Sequence, residues 1–172
     1  MSSRKNKTSS NIIKKCALIC GVVYAVLGLI VRICAGSPYN TVHTLGVDAY
    51  LPAIWLFNFF CIFWFFVCGI AVGSIFGRKL CGRISGREEV CLYRGCLFFV
   101  SMFFLSLMWY PLFFEGNALA LSLLIIFSCV ICSALCAMSW REVSLLSCVI
   151  MIANSLWLFY ILLVNLLVIM QN

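Results

Sequence analysis

Residues 57–76 read FNFFCIFWFFVCGIAVGSIF, a run with no charged residue and only Asn58 and Ser74 as polar side chains. At 1.5 Å per residue a helix of this length covers about 30 Å, the thickness of a bilayer's hydrocarbon core. A membrane-spanning strand would alternate polar and apolar residues, whereas this run, like LWLFYILLVNLLVIM at 156–170, is apolar on every face. Residues 57–76 therefore form the core of a transmembrane helix.

The rest of the chain follows the same rule. Of 172 residues 65% are hydrophobic and 10% charged, with mean hydropathy +1.15, which leaves too little polar surface to solvate a globule of this size. Five stretches qualify as spans, at about 12–34, 50–76, 95–114, 117–139 and 143–170. The expected fold is an all-α integral membrane protein, a five-transmembrane-helix bundle forming one domain over 11–172, preceded by an unstructured basic cytoplasmic tail, 1–10. The first span is too long for a signal-peptide core, and Arg32 spoils Cys34 as a lipidation site, so it reads as an uncleaved helix.

A net charge of +7 would suit nucleic-acid binding if it formed a patch, but it is distributed by topology. Arg4, Lys5, Lys7, Lys14 and Lys15 lie at or before the first span, Arg78, Lys79, Arg83, Arg87 and Arg94 between the second and third, and Arg141 between the fourth and fifth. Only Arg32 falls on the other side. The positive-inside bias puts the N-terminus in the cytoplasm and the C-terminus outside, with the lipid bilayer and not nucleic acid as the partner. With the short basic tail it suits a bacterial cytoplasmic membrane, an organelle membrane being the alternative.

Most of the twelve cysteines sit inside spans, where a thiol packs as a small hydrophobe. Cys129 and Cys132 have the CxxC spacing of thiol oxidoreductases, but lie mid-span, away from water and from any basic group that would activate them. That alternative function would need an accessible partner pair, for which Cys91 and Cys96 in the connection after the second span are the candidates. A coupled transporter of small hydrophobic solutes would need an ionisable group at membrane depth. The sole histidine, His43, and the acids Asp48, Glu88, Glu89, Glu115 and Glu142 all fall in connections or at span ends. No motif calls for a metal or a required cofactor.

The polar residues within spans need partners in hydrocarbon, and Ser106, Asn154 and Asn165 stand out. Counted from the outer helix ends, Trp55 lies about 6 Å deep, Trp109 about 9 Å, Asn165 about 10 Å and Trp157 about 22 Å. Met102, Ser106, Trp109 and Phe113 share one helical face in the third span, and Trp55, Phe59, Ile62, Phe66 and Gly69 another in the second. Such faces suit either an interfacial aromatic belt and helix packing or the lining of a cavity for a flat ligand.

Several of these spacings resemble those of the TspO/MBR family, the tryptophan-rich sensory proteins whose eukaryotic members are the translocator, or peripheral benzodiazepine receptor, proteins. WYPLFF at 109–114 is similar to the family's W-x-P-L-F-F. Trp157, Asn165 and Asn172 keep its W-x7-N-x6-N spacing, and Pro52, Trp55, Phe57 and Gly69 match its second helix. The chain departs from the family at Ala53 for Pro, Cys61 for Trp, Ser106 for Asn and Ala153-Asn154 for Pro-Tyr, and has no basic residue after Tyr160 for the animal cholesterol motif.

The resemblance implies a five-helix bundle, often a homodimer, that binds, senses or moves porphyrins, haem or similar aromatic compounds in a pocket beneath the first connection. By position, the lining would comprise Trp55, Cys61, Phe65, Ser106, Trp109, Trp157, Ile161 and Asn165, with a Ser or Asn group anchoring the ligand's polar edge. Some members are proposed to degrade porphyrin in light, for which Trp109 and Trp157 are the candidates here. WYPLFF then reads as a pocket lip.

Overall fold

The computed structural model describes residues 2–34, 53–114 and 118–171. Five helices occupy them: α1 (Ser2–Cys34), α2 (Ile54–Leu80), α3 (Arg87–Phe114), α4 (Leu119–Trp140) and α5 (Leu145–Gln171). Each contains a span long and apolar enough to cross a bilayer, and the described residues contain no strand. The molecule is an all-α five-helix membrane bundle. The loop carrying His43 and Asp48, with Tyr50 and Pro52, and also Glu115 and Asn172, lies outside the described residues.

Two helices begin earlier than hydropathy suggests. α1 starts at Ser2, so the polar segment expected to be an unstructured tail continues the first helix. Nothing between Ser2 and Lys15 is Gly or Pro, and residues of this kind tolerate a helix. α3 starts at Arg87 rather than 95, because Glu88 and Glu89 in its first turn favour the helix N-terminus while lowering the hydropathy that marks a span. The correction matters for chemistry, since Cys91 and Cys96 are helical residues of α3 and Cys91 is buried.

The α2–α3 turn is correspondingly short. Gly82, at φ 65°, closes α2 with its own N–H donated to the Lys79 carbonyl and that of Arg83 to the Arg78 carbonyl, a paired cap that requires a left-handed residue. At the α4–α5 turn the Ser147 N–H donates to Ser144 Oγ and caps α5. Charged groups tie this end together: Lys79 pairs with Glu89 at 2.7 Å and also meets Tyr93, Arg87 pairs with Glu142 at 3.3 Å, and Arg78 donates to the Val143 carbonyl.

Small residues decide which helices touch. Gly69, Gly73 and Gly77 line one edge of α2 against α1, where a Cβ on Gly69 would stand 2.6 Å from the Cys20 carbonyl oxygen and one on Gly73 would strike that of Cys16. Gly95 of α3 leaves room for Trp140 of α4, which is fully buried, stacks on Phe99 and donates its indole N–H to the Leu92 carbonyl at 3.4 Å. Hydroxyls join α2 to α5 through Ser74 and Ser147, 2.9 Å apart. The helices thus form a ring in the order α1, α2, α5, α4, α3, closed weakly where α1 meets α3. Across that seam Tyr24 sets its ring edge-on to Phe99 and Phe103.

Candidate functional site

Inside the ring, all five helices contribute to one cavity. Its walls include Tyr24 of α1, Cys61, Trp64, Phe65 and Cys68 of α2, Met102, Phe103, Ser106 and Trp109 of α3, Ile126 of α4, and Asn154, Trp157 and Ile161 of α5. The cavity proper is about 60 Å3, and the crevice around it, counted to its open mouth, about 610 Å3.

Six of the eight expected lining residues meet here: Cys61, Phe65, Ser106, Trp109, Trp157 and Ile161. Trp55 does not. It is 72% exposed on the outer surface of α2, where an interfacial tryptophan belongs. Asn165 is also elsewhere, fully buried in the α4–α5 seam with its amide N–H donated to Ser122 Oγ at 2.9 Å. It is a helix-packing residue.

The helical face expected for α2 is rotated away from the cavity. Trp55 and Phe59 are exposed, and Phe66 faces Gly21 of α1. The cavity instead receives Cys61, Trp64, Phe65 and Cys68, an i, i+3, i+4, i+7 set legible in the sequence but competing with other apolar stripes of an all-apolar helix. Nothing in that uniform sequence marks Trp64, although its ring lies near-parallel to Trp157. On α3 the expected face is right: Met102, Ser106 and Trp109 line the cavity, and Phe113 stacks on Trp109 at 5.1 Å.

WYPLFF contributes both cavity wall and helix packing. Trp109 and Tyr110 border the cavity while Phe113 and Phe114 are buried packing. α3 runs through Pro111 to Phe114; the proline supplies no N–H to the preceding turn. Tyr110 donates to Asn58 Oδ1 at 2.8 Å, which also accepts from Arg32 Nε at 2.8 Å, so the arginine inside the first span is held by polar groups of α2 and α3.

The polar groups within the cavity differ in what they have left to offer. Ser106 donates its proton to the Met102 carbonyl, 2.8 Å away on its own helix, and is committed there. Cys129 is fully buried behind it, 3.6 Å from Ser106 Oγ. Trp109, only 4% exposed, has an indole N–H with no acceptor among the described residues. No group of three or more metal-binding side chains converges among those residues.

A five-helix membrane protein with an aromatic-walled cavity inside the bundle is the class that fold and site define. The sequence profile of the TspO/MBR family matches residues 16–170, nearly the whole chain, and the chain belongs to that family. No curated protein and no solved structure matches it. It is thus an integral membrane protein of the sensor and binding kind that the family comprises.

Proposed function

We propose that the protein binds tetrapyrroles or similar flat aromatic compounds within the bundle and acts as their sensor or carrier. The observation that carries this reading is the cavity between Trp64, Trp157, Phe65, Phe103 and Trp109, a set of ring faces suited to a planar apolar ligand. Porphyrin or haem is the ligand class that the family resemblance supplies. The sparsely packed α1–α3 seam is the route by which a large ligand would enter. The functional unit is a homodimer in a bacterial cytoplasmic membrane, with the basic end of the bundle and the N-terminus facing the cytoplasm.

The thiol-oxidoreductase alternative has no comparable support, because Cys129 is sealed from water and Cys91 is buried in α3. Equilibrium dialysis of protoporphyrin IX against the detergent-solubilised protein tests the binding proposal. One saturable site per chain supports it; uptake that rises linearly, as into empty micelles, refutes it.

A further inference from the structure

The cavity's polar chemistry centres on one buried amide. Asn154 is 4% exposed and lines the cavity three residues before Trp157. Its orientation is set by its neighbours. Ser133 Oγ gives its only proton to the Met151 carbonyl at 3.1 Å, so toward Asn154 it can only accept, and Nδ2 meets it at 3.0 Å. The second Nδ2 proton is directed to Met102 Sδ at 3.3 Å. Both amide protons are spent, and the carbonyl Oδ1 accepts no hydrogen bond from the described residues.

Among the described residues that line this cavity, Asn154 therefore keeps an acceptor, Oδ1, and Trp109 a buried donor, Nε1, that no protein group satisfies. An unmet polar group in so apolar a place is costly, and a ligand that satisfies it gains accordingly. A wholly hydrocarbon ligand would satisfy neither.

We infer that Asn154 and Trp109 form a paired recognition site for a flat aromatic ligand that carries both an N–H donor and a hydrogen-bond acceptor. Asn154 accepts from the ligand's N–H, and Trp109 donates to its ring nitrogen or carbonyl. This deepens the tetrapyrrole reading, on whose cavity it rests, by selecting N–H-bearing compounds. Metal-free tetrapyrroles and open-chain lactam pigments have such N–H groups, whereas a metal complex has exchanged its pyrrolic protons for the metal. Asn154 is a specificity-determining residue, and Ser133 and Met102 are the positioning residues that aim it.

Small matched probes test this without a porphyrin. Carbazole carries a ring N–H and N-methylcarbazole does not; acridine carries a ring acceptor and anthracene does not. Binding of each is measured by fluorescence in neutral detergent at pH 8, with the wild type, Asn154→Leu and Trp109→Phe. The wild type should favour carbazole over N-methylcarbazole, and acridine over anthracene, by about tenfold, as expected for one buried hydrogen bond. Asn154→Leu should erase only the first preference and Trp109→Phe only the second.

Equal binding within both pairs by the wild type, preferences that survive the substitutions, or no saturable binding of any probe would overturn the inference. The wild-type comparison needs no variant to fold. Protoporphyrin IX in the same assay separates the two claims: saturable porphyrin binding with no probe discrimination removes this inference alone, whereas probe discrimination without saturable porphyrin binding removes the tetrapyrrole reading and leaves the paired site.

Discussion

The indole rings of Trp64 and Trp157 face each other across the α2–α5 contact, centroids 6.4 Å apart and planes 25° from parallel. Phe60 adds a tilted ring 5.8 Å from Trp157, and Tyr160 another at 5.6 Å. Aromatic rings in such arrangements attract one another beyond their buried area and offer faces of the same character to a planar guest.

Trp64 is accordingly a cavity-wall residue. Trp64→Leu should weaken protoporphyrin IX binding about tenfold, from the lost ring stacking and area. Trp55→Leu, on the exposed face of the same helix, should leave it unchanged. Equal losses in the two variants, measured by dialysis, would show that the cavity assignment is wrong.

The glycine edge of α2 should govern stability. Gly73→Ala sets a methyl group against the Cys16 backbone, where neither helix has a flexible side chain to yield. Overpacking of this kind costs about 1–3 kcal/mol, seen as a lower midpoint in denaturant titration of the detergent-solubilised protein. An unchanged midpoint would mean that α1 and α2 do not approach so closely.

Asn165 should matter to the bundle and not to the ligand. Asn165→Leu removes its link to Ser122, a membrane hydrogen bond of the type that averages about 0.6 kcal/mol. Ligand affinity should stay at the wild-type value. A loss of affinity with unchanged stability would return Asn165 to the cavity.

Thiol labelling separates binding from redox function. In intact membranes Cys81, half-buried at the basic end where α2 closes, should react with a maleimide well before Cys129 or Cys136, which are fully buried. Cys129→Ser combined with Cys132→Ser should keep ligand binding. Rapid labelling of Cys129 would instead favour the oxidoreductase reading.

The sequence carries the five helices clearly because each span is apolar on all sides and bounded by charges, as at Arg78-Lys79 and Arg141-Glu142. That same uniformity hides the inward face. On α2 the stripe through Trp55 and Phe59 is as apolar as the one through Cys61 and Trp64, so hydrophobic periodicity has no preferred phase and tertiary packing chooses. On α3 Ser106 is a polar marker of the inner face. The two asparagines of α5 look alike in sequence, yet Asn165 finds Ser122 in a helix seam while Asn154 meets Ser133 at the cavity wall, a difference set by the position of serines on α4. Hydropathy does not mark helix ends where charged turns extend a helix, as at Arg87–Arg94.

The most direct test of the account is titration of the detergent-solubilised protein with protoporphyrin IX, following tryptophan fluorescence in the wild type, Trp55→Phe, Trp109→Phe and Trp157→Phe. The account predicts saturable quenching, with affinity reduced in Trp109→Phe and Trp157→Phe and retained in Trp55→Phe. Quenching that never saturates and is equal in all four proteins would contradict it, for the porphyrin would then be dissolving in the micelle and not in the bundle.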